Sequence, residues 1–153
     1  MLDVDQLNAD LNGISKSLQI GSLNYSANLK IWEANNSAGK SAGEIVRAAL
    51  GATAVLGGTF AISEEDAISE ILGAFLFAGD DGAHPGQKTL SSERYKKDVS
   101  AVMERLRAWI ESSSLLIGIW LKEGHPFYPV FWDYAYIVES GSDCHVIIAS
   151  ASD

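Results

Sequence analysis

The chain has 153 residues, of which 47% are hydrophobic and 20% are charged, a composition typical of one folded domain and unlike that of a disordered segment. Its formal net charge of -9 argues against nonspecific binding to nucleic acid or to anionic membranes, because both depend on Lys and Arg side chains that neutralise phosphates. We therefore expect a single domain over residues 1–153, without a nucleic-acid or membrane partner.

The N-terminal residues, the lengths of the apolar runs and the single cysteine indicate the compartment in which the protein is expected. The N-terminal residues lack the basic and apolar regions of a signal peptide, and no apolar run is long enough to cross a bilayer. Cys144 is the only cysteine, which excludes an internal disulfide, and its apolar flanks predict a strand residue rather than an activated thiol. These features predict a soluble, cytoplasmic protein.

The first third of the chain is predicted to contain two helices separated by an ambiguous segment. Residues 2–18 place apolar side chains at alternating steps of three and four, which is the spacing of an amphipathic helix. Residues 19–36 fit either a helix or a strand, with 29–32 as the candidate strand. Residues 43–56 are rich in Ala and apolar on most sides, which predicts a central helix that the following Gly-Gly pair ends.

A third helix is predicted to begin after Ser63 and to continue to about Gly79. The Ser63 side chain can cap the free backbone N–H groups, and the three acids that follow it face the positive end of the helix dipole. Helix capping alone explains why these acids are present. Residues 80–86, which contain Gly, Pro and Asp, then predict a loop.

Residues 92–121 are predicted to form one long central helix. Their apolar side chains recur at steps of four and three, and the later part of the segment is apolar on almost every side. A straight helix of this length would be about 45 Å long, which exceeds the diameter implied by a radius of gyration of about 15 Å. We therefore expect a bend or break near Ser113.

The C-terminal segment is predicted to be a β-hairpin. Residues 130–149 are dense in aromatic and β-branched side chains, with turn-forming residues at 140–143. A two-stranded ribbon is marginally stable by itself, so residues 29–32 are the candidate third strand. The predicted fold class is α+β, in a mostly helical domain.

The sharpest motif match is the segment 34–41, which satisfies a permissive form of the phosphate-binding loop. In such a loop Gly39, Lys40 and Ser41 would hold phosphate and magnesium. The chain lacks the further buried parallel strands that normally accompany this motif. We interpret the match as a chance one and retain a nucleotide-binding enzyme as an alternative function.

The three histidines give no metal or catalytic pattern. His84, His125 and His145 are far apart in sequence, and two of them precede a proline. A pairing of either His84 or His125 with an aspartate is possible in space, but no nucleophile motif accompanies it. We therefore assign no catalytic residue, no metal ligand and no cofactor.

Charge is unevenly distributed along the chain. Between Ser63 and Asp81 there are six acids and no Lys or Arg, whereas residues 94–107 hold five of the eleven basic residues. The simplest interpretation is that both are solvated helix faces, which can also face each other. If the acidic region meets a partner, Glu70, Asp80 and Asp81 are the expected contacts, because the other three acids serve the helix terminus.

An aromatic cluster precedes and enters the predicted hairpin at residues 125–136. Aromatic residues dominate core packing, so most of the cluster is expected to be core. Tyr and Trp are also enriched at the centres of protein interfaces. Trp132 and Tyr134 are therefore candidate partner-binding residues.

By elimination, the sequence favours a small acidic binding protein rather than an enzyme. The most concrete hypothesis is a bacterial immunity protein of the antitoxin type, which neutralises a cognate toxin by occluding a basic site. The alternatives are a nucleotide-binding enzyme that uses residues 34–41 and a non-catalytic adaptor subunit.

Overall fold

The computed structural model describes residues 2–127, 129 and 131–153, so Met1, Tyr128 and Val130 of the predicted segments lie outside the described residues. The helices are α1 (Val4–Gln19), α2 (Ala42–Leu50), α3 (Glu64–Phe75), α4 (Gln87–Ser91) and α5 (Glu93–Glu111). The strands are β1 (Ser26–Glu33), β2 (Val55–Ala61), β3 (Leu115–Glu123), β4 (Trp132–Ser140) and β5 (Asp143–Ser152). The strands form one sheet in the order β1-β5-β4-β3-β2, and every pair is antiparallel. The α+β class is confirmed.

Helices cover both faces of this sheet. Helices α1, α3 and α5 pack on one face, which includes Tyr136 and Ile147, while α2 packs on the other against Ile137 and Val146. Eight of the ten residues of β5 are buried, because this strand lies inside the sheet with both faces covered. None of the described helices combines the length and the apolar character that crossing a membrane requires.

The prediction of one helix over residues 92–121 is wrong in its second half. Helix α5 ends at Glu111, and residues 115–123 form β3. The chain does break near Ser113, whose hydroxyl donates to the Ile110 carbonyl at 2.6 Å and so satisfies part of the helix C-terminus. The run beyond it pairs between β2 and β4, and its β-branched Ile117 and Ile119 favour a strand.

The prediction of a helix over residues 43–56 is also wrong at its end. Helix α2 stops at Leu50, followed by Gly51 with a φ of 106°, a value that favours glycine. Gly57 and Gly58 lie within β2, at a register irregularity opposite Trp120. They allow a bulge in a strand rather than ending a helix.

Several local predictions are confirmed. The Asp66 N–H donates to the Ser63 hydroxyl at 3.0 Å, so Ser63 caps α3, although this helix ends at Phe75. Strands β4 and β5 form the C-terminal hairpin, which closes at the Ser140–Asp143 pair. The candidate third strand is β1, which pairs with β5 at the edge of the sheet.

Candidate functional site

The structure brings together three of the five predicted partner-binding residues. Glu70 on α3 and Trp132 and Tyr134 on β4 line one cavity of about 240 Å³. Its remaining lining residues are Gly73, Ala74, Phe77 and Asp133. Asp80 and Asp81 lie on the loop that follows α3 and do not line this cavity. We call this space the aromatic cavity.

Two rings that line the aromatic cavity, those of Trp132 and Tyr134, belong to a stack of three rings along β4. Trp132, Tyr134 and Tyr136 alternate along β4 and therefore point to the same face of the sheet. Their ring centroids are 5.8 and 5.3 Å apart in successive pairs, with interplanar angles of 11° and 23°. Phe77 packs edge-on against Trp132, with the centroids 6.2 Å apart. Such packing holds the wall in a fixed shape.

The polar groups of this region are concentrated around Glu70. The hydroxyl of the fully buried Tyr136 donates a hydrogen bond to Glu70 Oε1. Burial raises the pKa of Tyr136 well above its usual range, and the Glu70 carboxylate raises it further. Burial and the same carboxylate also raise the pKa of Tyr134, so both phenols stay protonated.

The Tyr134 hydroxyl is an unusual feature of this cavity. Tyr134 is only 6% exposed, and its hydroxyl has no hydrogen-bond partner among the described residues. Buried polar groups are normally paired, since leaving one unpaired costs about 1–3 kcal/mol. The cavity therefore combines a carboxylate with an aromatic wall that includes the ring of Tyr134, whose hydroxyl is buried without a described partner.

The four acids of α3 are all exposed, and we call them together the acidic ridge. Its members are Glu64, Glu65, Asp66 and Glu70. None of them takes part in a salt bridge among the described residues, although α3 packs against the basic helix α5. The basic side chains of α5 that do form ion pairs use other acids, in the pairs Lys96–Glu93, Arg105–Asp10 and Arg107–Glu111. The acidic and basic regions thus do not neutralise each other through ion pairs.

The two other predicted acids, Asp80 and Asp81, differ in whether they form hydrogen bonds within the protein. Asp80 Oδ1 accepts hydrogen bonds from the backbone N–H groups of Gly82 and Ala83, at 2.8 and 2.9 Å, and so holds the turn of its loop. Asp81 is exposed and forms no described hydrogen bond or salt bridge. A change at Asp80 would therefore disturb the loop, whereas Asp81 is available to a partner.

Two exposed aromatic residues on the same face of the sheet as Tyr136 were not predicted from the sequence. Phe60 on β2 lies over Gly118, and Trp120 on β3 lies over Gly57 and Gly58, yet these rings are 47% and 53% exposed. We call them the aromatic patch. The prediction places residues 115–121 in a helix and the Gly-Gly pair at a helix end, and only the strand register shows that each ring covers a glycine on the neighbouring strand.

The segment 34–41 has a different geometry from a phosphate-binding loop. It follows β1, an edge strand in a sheet whose described pairs are all antiparallel. The Ser41 hydroxyl accepts from the Glu44 N–H and donates to Glu44 Oε1, which makes it the N-cap of α2. The Gly39 N–H faces Glu139 Oε1 at 3.4 Å, so a carboxylate lies where the phosphate would bind. The geometry does not favour the nucleotide-binding alternative.

A second cavity, of about 600 Å³, lies between α1, α5 and the β4–β5 turn. His145 lines it, is 6% exposed and contacts Trp109 edge-to-face, with the ring centroids 5.5 Å apart. Neither His145 Nδ1 nor the Ser140 hydroxyl has a hydrogen-bond partner among the described residues. Burial lowers the pKa of His145, against the opposing effects of Glu33 and Asp143. The isolated position of His145 in the sequence gave no signal of this arrangement.

The remaining candidates for chemistry are weak. His125 Nε2 lies 3.6 Å from Asp133 Oδ2, and His84 Nδ1 lies 2.9 Å from its neighbouring Pro85 carbonyl. Burial, with a further effect of Glu139, raises the pKa of Cys144 to about 11, so this residue is a thiol and not a nucleophilic thiolate at neutral pH. Among the described residues, no three His, Cys, Asp or Glu side chains form a group that could hold a metal ion.

The fold and site define an α+β domain. The acids of its helix α3 form no described salt bridge, and this helix lines an aromatic cavity; an exposed aromatic patch lies on the sheet. Comparisons with protein-family models, with curated proteins and with solved structures found no match to this chain.

Proposed function

We propose that this protein binds a protein partner with a basic surface, and most concretely that it is a bacterial immunity protein that neutralises a toxin by occluding a basic site. The observation that supports this is the acidic ridge, which keeps four carboxylates free of described salt bridges beside a helix rich in Lys and Arg. Unpaired charge of one sign on one surface favours fast association with a surface of the opposite sign.

The aromatic cavity supplies the short-range part of the proposed interaction. An Arg side chain of the partner could enter it, stack on the Trp132 ring and pair with the Glu70 carboxylate, because guanidinium groups both stack on aromatic rings and bind carboxylates. Lys can neutralise Glu70 but stacks less well, so we expect the partner to use Arg here.

We place this activity in the cytoplasm and assign it no nucleic-acid or membrane partner. The net charge of -9 opposes contact with phosphates. The single Cys144 is buried as a free thiol, which is compatible with a reducing compartment.

The test uses the product of the adjacent reading frame, if that product is a toxin with a basic surface. The chain should restore growth to cells that express the toxin, and the triple variant Glu64→Lys, Glu65→Lys and Glu70→Arg should fail to do so although urea unfolding shows that it remains folded. The matched control reverses Asp98 and Glu104 on α5, two exposed acids without a described ion pair, and should still protect. Stable binding without inhibition would instead favour the adaptor alternative.

Association kinetics give the second readout. The triple variant should associate about tenfold more slowly at low salt, while the dissociation rate changes less, because long-range attraction acts on encounter. Raising the salt concentration should slow the native chain towards the rate of the variant. An association rate that is indifferent to both salt and charge reversal would contradict the electrostatic mechanism.

A further inference from the structure

The two edge strands of the sheet are protected to different degrees. On β1, the Asn8 side chain from α1 donates Nδ2–H to the Ile31 carbonyl and accepts the Ile31 N–H at Oδ1, both at 2.8 Å. Strand β1 also carries the charged Lys30 and Glu33. A side chain that occupies edge backbone groups and charges along the strand are both devices that prevent pairing with another chain.

Strand β2 has neither of these devices. Its seven residues include no charged side chain, and every described hydrogen bond of its backbone is with β3. Thr59, Phe60 and Ala61 are exposed in succession, so the end of the strand is covered on neither face. The irregularity at Gly57 confines regular pairing to residues 58–61. An open, uncharged edge of this kind is a template for an added strand.

The side chains next to this edge provide an apolar platform. The Phe60 ring rests on Gly118, and Gly118 is paired with Tyr136, whose hydroxyl binds Glu70. The patch and the aromatic cavity thus lie on the same face of the sheet, with β2 and β4 about 10 Å apart at the usual strand spacing. An extended segment at β2 would place alternate side chains on this platform.

Acids are also located at one end of β2. Glu64 and Glu65 follow Ala61 by only three and four residues and are exposed at the start of α3. The chain between them spans at most about 10 to 14 Å. Basic side chains next to the Ala61 end of the strand would therefore meet unpaired carboxylates.

We propose that the open edge of β2 receives an extended basic segment of the partner protein as a sixth, antiparallel strand, with the basic residues at the N-terminal end of that segment. This proposal rests on the proposed function, since it specifies how the basic partner is held. Antiparallel addition continues the pattern of the sheet and sets the N-terminus of the segment beside Ala61. A second copy of this chain is the less favourable occupant, because it brings another net charge of -9.

The probe is a short synthetic peptide in which a pair of lysines precedes alternating valine and threonine. Its binding to the full chain is measured by titration, and amide hydrogen exchange is followed with and without the peptide. Exchange should slow at residues 55–61 and remain unchanged at 26–33, where Asn8 occupies the edge. Methylation of alternate peptide nitrogens should weaken binding about tenfold or more, since it removes several backbone hydrogen bonds.

Two further comparisons test the orientation of the added strand and the contribution of the apolar platform to binding. A peptide with the lysine pair at its C-terminal end should bind more weakly, because an antiparallel strand then carries its charge away from Glu64 and Glu65. Phe60→Thr should weaken binding, whereas Leu72→Thr, at an exposed position on α3, should not. Both positions are exposed, so both variants are expected to fold.

Different outcomes separate this proposal from the proposed function. Binding that protects α3 but not β2, with no effect of N-methylation, overturns strand addition and leaves the acidic partner surface in place. Protection of β2 from exchange that depends neither on salt nor on the lysine pair supports strand pairing and overturns the electrostatic part of the proposed function. Failure of the peptide to bind, or dimerisation of the chain through residues 55–61, overturns the strand-addition proposal.

Discussion

The hydroxyl of Tyr136 donates a hydrogen bond to the carboxylate of Glu70, across the space between the central strand β4 and the exposed helix α3. Tyr136 is completely buried, while Glu70 belongs to the acidic ridge. The bond therefore fixes one acid of the exposed surface to the core of the sheet. It also holds Glu70 in place beside the aromatic cavity, which Glu70 lines.

Replacing Tyr136 by Phe removes this donor and should lower the free energy of unfolding by about 1–2 kcal/mol, near the lower end for a hydrogen bond to a charged group because Glu70 can be rehydrated. Urea unfolding measures this change. Glu70→Gln is the matched control, since the amide oxygen can still accept the bond. An effect of Tyr136→Phe below the experimental error would mean that the bond contributes nothing to stability.

Replacing Tyr134 by Phe should affect stability differently from Tyr136→Phe. The Tyr134 hydroxyl is buried without a described partner, so its removal eliminates a desolvated polar group. Stability should be unchanged or rise by up to about 1 kcal/mol in the same urea experiment. A loss as large as that of Tyr136→Phe would show that a bound water satisfies this hydroxyl in solution.

Replacing Asn8 by Ala should destabilise the protein and expose the edge of β1. Two hydrogen bonds to Ile31 are lost, which predicts a decrease of about 1–2 kcal/mol in the free energy of unfolding. Amide exchange at residues 26–33 should accelerate, and self-association should increase because the edge becomes available. Asn8→Asp keeps the acceptor and loses the donor, so its free energy of unfolding should lie between those of the native protein and of Asn8→Ala. Unchanged exchange in β1 after Asn8→Ala would argue that the side chain does not protect this edge.

Acidification should destabilise the protein through His145. Burial lowers the pKa of His145 in the folded state below the usual value of 6.5, so the unfolded state binds the proton first as the pH falls. The contribution of the neutral His145 to stability is complete above about pH 6.5. It decreases as the pH falls from there to the folded-state pKa, below which it no longer changes.

Thermal unfolding between about pH 5 and 8 measures this dependence. His145→Gln should flatten the curve in that range, because the replacement does not titrate. The charged neighbours Glu33 and Asp143 partly oppose the effect of burial. Removal of both charges should therefore steepen the loss of stability on acidification. A His145→Gln variant with the native slope would assign the pH dependence to other groups.

The segment 34–41 provides a pair of contrasting substitutions. Lys40→Ala should leave stability and function nearly unchanged, because this lysine is exposed and forms no described salt bridge. Ser41→Ala should lower stability by about 1 kcal/mol, because it removes the N-cap of α2. Titration with ATP or GTP supplies the functional test. Micromolar nucleotide binding that Lys40→Ala abolished would restore the phosphate-binding interpretation.

Local patterns were sufficient for the elements whose signals lie within a few residues. The apolar spacing of α1 and the cap at Ser63 depend on neighbours three or four positions away, so both could be read directly from the sequence. The C-terminal hairpin closes through a turn of two residues and has a dense β-branched composition. The unpaired acids of α3 were also visible as a charge pattern.

Only the tertiary structure decided that residues 55–61 and 115–123 form strands. A short run that is apolar on every side fits a buried helix as well as a buried strand, and pairing with β4 selects the strand for residues 115–123. Phe60 and Trp120 become a surface patch only because the register places glycines beneath them. Glu70 and Tyr136 are 66 positions apart, and their contact depends on where α3 packs on the sheet. Such relationships arise from long-range packing, which periodicity along the chain does not encode.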